Sequence, residues 1–341
     1  MEFDHGILPG AGAAAGHRSM VIGRRAALGA LGALALPSMA WAAFPDHDVR
    51  LLVGFSAGGA VDLVARLTAD SLRPVLGQNV VVENRSGASG LIAAEAASKA
   101  PPDGHTLYVA AMSAYVVLPQ LPGQPMPLHM ERDLTPVANI ASVLNALVVT
   151  PRAPFKTVPE LIAYAKANPD KLTYASTGNG TSQHLAGELF CRQAGIRMTH
   201  VPYRGGSNAI VDIAAGRVDM MFGNFPEFVG QIRDGGLRLL AFGSKRASPL
   251  FPDAPLVHDT LPGFDVSNWI GLAGPAGLPD ALVASWNAAL ARVTASPEFQ
   301  KRVTENGMEV LGQDQAAFRA TIAADRQRWG EVIRAAAIRA D

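Results

Sequence analysis

Between residues 49 and 245, apolar runs alternate with stretches of helical periodicity, and glycine-rich turns stand between them. Residues 49–55 form an apolar run broken only by Arg50, as expected of a strand covered on both faces. After Ser56-Ala57-Gly58-Gly59, residues 60–73 bring Val61, Val64, Ala65, Leu67 and Leu72 near one stripe, which predicts a helix. Residues 79–83 predict a strand, 91–99 a helix of small residues stopped by Pro101-Pro102, and 106–110 a third strand. Residues 119–127 are proline-rich and read as an extended surface segment. Strands near 137–142 and 146–150 lead to a second alternating set. Its helices are 158–168, Ser182–Ala194, 206–215 and 226–234, and its strands are 172–175, 198–201, 218–222 and 237–242. Thr157 and Ser182 have the chemistry of helix N-caps. Beyond about residue 245, residues 248–263 read as a loop with one short helix and 266–273 as a strand. Helices 279–295, 297–305 and 314–338 close the chain, with Ser296-Pro297-Glu298 opening the second of them. This alternation predicts an α/β fold with a largely parallel sheet.

The N-terminal pattern is different. Arg24-Arg25 precede an apolar run at 26–36, and Ala40-Trp41-Ala42 follows. A charged start, a short apolar segment and a small-x-small site are the features of a secretory signal. Residues 1–42 are therefore expected to be a signal peptide cleaved after Ala42, with Met20 as an alternative start. The apolar run is well short of the roughly 20 residues that span a bilayer. The expected location is the periplasm, reached by the Sec or the twin-arginine route.

A length of 341 residues suits two compact units, and 49% hydrophobic content is enough for two cores. The 29 basic and 29 acidic residues cancel. Without the first 42 residues, 26 basic and 27 acidic remain. That balance excludes the basic excess of a nucleic-acid or anionic-membrane surface. Cys191 is the single cysteine, so no intramolecular disulfide forms, and Leu189-Phe190-Cys191 reads as core. The histidines show no metal-ligand spacing, and no metal or cofactor is expected.

Four segments have the chemistry of a binding site. Ser56-Ala57-Gly58-Gly59 joins a strand to a helix, where unpaired N–H groups and the helix dipole make an anion seat. It is neither the Gly-Lys-Ser/Thr phosphate loop nor Gly-x-Gly-x-x-Gly. Asp62 in the first turn reads as dipole compensation. Ser176-Thr177-Gly178-Asn179-Gly180-Thr181-Ser182-Gln183-His184 gathers hydroxyls, amides and glycines at a second strand-to-helix turn. Val201-Pro202-Tyr203-Arg204-Gly205-Gly206-Ser207 is a third, where Tyr203 and Arg204 are within reach of a ligand. Phe222-Gly223-Asn224-Phe225-Pro226 ends a strand. A hydrolase using Ser182 and His184 would need an acid to orient the imidazole, and no Gly-x-Ser-x-Gly elbow is present.

On these residues the chain resembles the substrate-binding proteins of tripartite tricarboxylate transporters, the Bug or TctC family, across residues 44–341. The resemblance rests on residues 49–62, Leu76-Gly77-Gln78-Asn79-Val80-Val81-Val82-Glu83-Asn84-Arg85 and Pro102-Asp103-Gly104-His105-Thr106-Leu107. Further matches are Tyr174 through Leu185, His200-Val201-Pro202-Tyr203-Arg204-Gly205-Gly206 and Gly216-Arg217-Val218-Asp219-Met220-Met221-Phe222. It implies a type-2 periplasmic binding fold, with two lobes and a ligand cleft between them. Residues 44–145 with 247–341 would form lobe one and residues 146–246 lobe two. The implied contacts to a small carboxylate are Phe55, Ser56, Ala57, Gly58, Gly59 and Asp62 from lobe one. From lobe two they are Asn179, Gly180, Thr181, Ser182, His184, Tyr203 and Asn224. The implied partners are that ligand (a di- or tricarboxylate, an amino acid or an aromatic acid) and membrane permease subunits, with the protein a monomer and not an enzyme. A ligand-sensing role with a signalling partner is the alternative. Three departures stand out. Ser56-Ala57 replaces a common Pro-Pro, and Gly223 replaces a common Asp. The stretch Met112 to Leu118 is mostly apolar, which predicts a more apolar ligand body.

Overall fold

The computed structural model describes residues 44–203, 205–336 and 338–339. The expected signal peptide, with Arg24, Arg25 and the Ala42 cleavage site, lies outside the described residues, and so does Arg204.

The strands are β1 (Val49–Val53), β2 (Val80–Asn84), β3 (Thr106–Ala111), β4 (Leu134–Val143), β5 (Asn145–Val149) and β6 (Thr173–Ser176). They continue as β7 (Thr199–Pro202), β8 (Met220–Asn224), β9 (Arg238–Phe242), β10 (Asn268–Pro275) and β11 (Met308–Gln313). The helices are α1 (Ala60–Leu76), α2 (Leu91–Ser98), α3 (Met130–Asp133), α4 (Val158–Ala167) and α5 (Ser182–Ala194). After them come α6 (Gly206–Ala214), α7 (Val229–Arg233), α8 (Asp280–Ala295), α9 (Pro297–Glu305) and α10 (Gln315–Ala336). They build two sheets, one of six strands in the order β11-β4-β10-β3-β1-β2 and one of five in the order β7-β6-β8-β5-β9.

Alternation along β1 shows how the first sheet is covered. Val49, Leu51 and Val53 pack with the apolar stripe of α1 and with α8, while Leu52 packs on the other face with residues of α2. Side chains of a strand point to opposite faces in turn, so helices cover both sides. The second face merges with the second sheet: Trp269 and Phe318 share one core with Phe190, Phe222 and Phe264. The chain passes between the sheets at Leu144 and again beyond Phe242. These passages are tied together by Gly243 N–H to the Asn145 carbonyl at 2.8 Å and Val266 N–H to the Gly243 carbonyl at 2.9 Å.

The sheets are mixed rather than largely parallel. β1, β2 and β3 are parallel, but β10 is antiparallel to both β3 and β4, and β4 to β11. The cause is connectivity: β4 carries the chain out of the first sheet and β10 brings it back, so the two run in opposite senses. β11 lies in a stretch given no element from the sequence. The segment 226–234 is not one helix but a 3₁₀ turn, Phe225–Glu227, followed by α7. α5 keeps its predicted bounds, but its N-cap is Thr181, whose Oγ1 accepts the His184 N–H, and Ser182 is the first helical residue. Thr157 caps α4 by accepting the Glu160 N–H. No helix among the described residues is long and apolar enough to cross a membrane.

Candidate functional site

A cavity of about 100 Å³ lies where the carboxyl ends of β1, β3, β6, β7 and β8 meet the start of β10. Ligands of α/β proteins gather at such strand ends. Phe55, Ser56, Ala57, Gly58 and Gly59 line it from the first sheet, with Ser113 and Asn268. Thr177, Ser182, Gln183, Gly205, Gly206, Ser207, Asn224 and Glu227 line it from the second.

Three helix starts open on this cavity. α1 is capped by Gly59 and α6 by Gly205, and neither glycine has a side chain to accept from the first-turn N–H groups. α5 begins at Ser182, beside Gln183. Helix starts carry unpaired donors and a partial positive charge, so together they favour an anion. Among the described lining residues there is no Lys, Arg or His.

Seven of the thirteen site residues read from the sequence line the cavity: Phe55, Ser56, Ala57, Gly58, Gly59, Ser182 and Asn224. The other six, Asp62, Asn179, Gly180, Thr181, His184 and Tyr203, do not line it. Asp62 is buried, and it faces the turn rather than the cavity. Its carboxylate accepts from Gly58 N–H at 2.9 Å, Arg66 Nε at 2.9 Å and Asn84 Nδ2 at 2.8 Å. Burial pushes its pKa up, but these bonds to Arg66, Gly58 and Asn84 outweigh it and hold the carboxyl below the ordinary 3.8. Asp62 thereby pins Gly58 at φ 84°, a conformation suited to glycine.

On the other side, Thr181 Oγ1 donates to the Gly178 carbonyl at 2.7 Å, and Gly180 N–H donates to His184 Nδ1 at 3.1 Å. The His184 ring stacks on His200 at 4.1 Å. Ser182 Oγ is directed to Gln183 Oε1 at 3.4 Å. These contacts build a helix start. The Asn179 carbonyl accepts from Ser89 Oγ at 3.1 Å, joining the two sheets. Gly180 packs against Leu118 and Leu121. Tyr203 donates to Asp212 Oδ2 at 2.7 Å, and burial, then Asp212, pushes its phenol up to about 12.

The apolar stretch before α3 does not form the wall expected of it. Met112, Tyr115, Val116, Val117 and Leu118 are core residues, and only Ser113 of that stretch lines the cavity. Gly223 does not open the wall beside Asn224 either. A Cβ there would lie 2.3 Å from Phe228, so Gly223 makes room for that ring. Cys191 is buried, and burial, then Glu188, pushes its thiol up to about 12, which leaves it inert at neutral pH. Asp46, His47 and His105 cluster at the opposite end of β1 and β3. The two rings stack in parallel at 3.6 Å and 10°, so their in-plane lone pairs cannot converge on one ion.

Sequence reading missed Ser113, Asn268 and above all Glu227. The sequence pattern puts Glu227 inside the expected helix 226–234. The 3₁₀ turn instead swings it to the start of α1, where its Oε1 accepts from Ala60 N–H at 3.2 Å and from Asn224 Nδ2 at 3.0 Å. Burial raises its pKa above the ordinary 4.5, and the bonds from Asn224 and Ala60 only partly offset this.

Two α/β lobes, two chain crossings and a donor-rich cavity at the strand ends define a solute-binding protein of the periplasmic type. The chain belongs to the tripartite tricarboxylate transporter family receptors (TctC), whose family pattern matches residues 64–338. It is 34% identical over 293 residues to the "UPF0065 protein in tcbD-tcbE intergenic region" of Pseudomonas sp. (strain P51), covering 85% of this chain and 87% of that one. It is similar in structure to R. palustris Rpa4515 with adipate, at a TM-score of 0.84 and 33% identity over 87% of this chain and 100% of that one. MatC (Rpa3494) from Rhodopseudomonas palustris with bound malate gives a TM-score of 0.80 and 30% identity over 85% and 100% of the two chains.

Proposed function

We propose that this protein captures a small carboxylate in the periplasm, closes its lobes on it and delivers it to the membrane permease subunits of a tripartite transporter. It works as a monomer and catalyses no reaction. Residues 44–145 with 247–341 act as one lobe and 146–246 as the other. The observation that carries this reading is the convergence of the starts of α1, α5 and α6 on one cavity. Holding a carboxylate on backbone dipoles avoids desolvating a buried cation. Phe55, Ser56, Ala57, Gly58, Gly59, Ser182 and Asn224 would touch the ligand. Asp62, Asn179, Gly180, Thr181, His184 and Tyr203 would hold the turns that present it. The relatives solved with adipate and malate support the ligand class. A thermal-shift screen of mono-, di- and tricarboxylates on the chain from residue 43 onward tests it. Stabilisation by at least one carboxylate is expected, and none by any of them overturns the reading.

A further inference from the structure

One lining residue does not fit a cavity built only for anions. The Glu227 carboxylate stands between two helix starts. Its Oε1 accepts from Ala60 N–H and Asn224 Nδ2, and its Oε2 rests on the bare Cα of Gly206, where a Cβ would lie only 2.2 Å away. It is the only ionisable group among the described lining residues. No described donor reaches Oε2, and the helix dipoles supply only partial charge. Asn224 points the same way. It is 6% exposed and lines the cavity, its amide is oriented by the bond to Glu227, and its Oδ1 has no hydrogen-bond partner among the described residues. Buried acceptors without donors are rare in folded proteins and commonly mark a missing partner.

The same cavity therefore presents donors, at Ser182, Gln183 and the glycine caps, and acceptors, at Glu227 and Asn224. A plain dicarboxylate matches the donors but brings a second negative charge toward Glu227. A molecule carrying both a carboxylate and an ammonium matches both sets. We propose that the ligand is a small zwitterion of the amino-acid type, with its carboxylate on the helix starts and its ammonium on Glu227. This rests on the carboxylate reading of the cleft and narrows it. Glu227 acts as the specificity-determining residue, rejecting dianions by like-charge repulsion as much as it attracts the ammonium.

Matched pairs differing only in the amino group test this: aspartate and succinate, glutamate and glutarate, alanine and propionate, and 2-aminoadipate and adipate. Each is titrated calorimetrically into the chain from residue 43 onward, as wild type and as Glu227→Gln. At least one aminated member should bind tenfold or more tightly than its deaminated partner, and Glu227→Gln should bring that ratio near one. Equal or tighter binding of the deaminated members, or a ratio unchanged in Glu227→Gln, overturns the zwitterion and leaves the carboxylate reading standing. Binding by neither series overturns both. Should Glu227→Gln fail to fold, the wild-type ratio decides alone.

Discussion

Asp62 and Glu227 both place a carboxylate oxygen on the start of α1, one from within the helix and one from the facing lobe, and they titrate in opposite senses. Asp62 has Arg66 and two further donors, so folding lowers its pKa from 3.8. Its contribution is fully present above 3.8 and is lost as pH falls through the lower folded value. Asp62→Asn should cost about 1–3 kcal/mol near pH 7, as expected when a buried donor set loses its charged acceptor. That deficit should shrink below the unfolded value of 3.8, where the unfolded chain takes up a proton that folded Asp62 resists. Urea unfolding of both proteins near pH 7 and pH 3 checks this, and an unchanging deficit would refute it. Glu227 has no described cation beside it, and burial raises its pKa above 4.5. Over the window from 4.5 up to that raised value the folded state binds more protons than the unfolded one, so Glu227 makes stability fall as pH rises. Glu227→Gln should remove that decline and be the more stable protein at neutral pH. Denaturation midpoints from pH 4.5 to neutrality measure it.

At the level of elements, the lobes meet closely at the start of α5. Gly180 has φ 72°, and a Cβ there would lie 2.4 Å from Leu118 Cδ2 and 2.5 Å from Leu121 Cδ1, both on the facing lobe. Gly180→Ala should therefore suffer about 1–2 kcal/mol of backbone strain and about 1–3 kcal/mol of overpacking. The overpacking falls only on the closed arrangement, so carboxylate affinity should drop roughly tenfold or more. Leu118→Ala in the same chain should recover part of it, because the two sites share one contact. Calorimetry on the single and double variants gives the coupling. The sequence is a good guide to α5, whose start is marked by glycines and hydroxyls and whose end is marked by Gly195. It was off by one at the cap, since Thr181 and Ser182 have the same capping chemistry and only the backbone decides between them. Strand direction could not be read, because it follows from which strand leaves the first sheet and which returns. Ser113 and Asn268 were hidden inside apolar runs whose neighbours are core. Glu227 was hidden because Pro226 fits a helix start as well as it fits the 3₁₀ turn.

At the level of the whole molecule, closure depends on two chain crossings that lie side by side and on contacts made across the cleft. Ser89 Oγ to the Asn179 carbonyl and Ala60 N–H to Glu227 are two of these contacts. An extended apolar core also joins the sheets behind the cavity, through Trp269, Phe318, Phe264 and Phe222. Opening should therefore be a rotation about the crossings at Leu144 and Gly243 that leaves this core packed, rather than a separation of the lobes. A ligand that binds only the closed form shifts the population toward it by its differential affinity. At one hundred times Kd it adds about 2.7 kcal/mol of stability, which for a chain of this size raises Tm by roughly 5 °C. The same ligand should reduce the radius of gyration in solution scattering. Ser89→Ala removes a cross-cleft bond without touching the cavity wall, so it should speed ligand release and leave the unliganded Tm nearly unchanged. Stopped-flow displacement measures the release rate. An unchanged rate would mean that the Ser89 contact does not hold the lobes together.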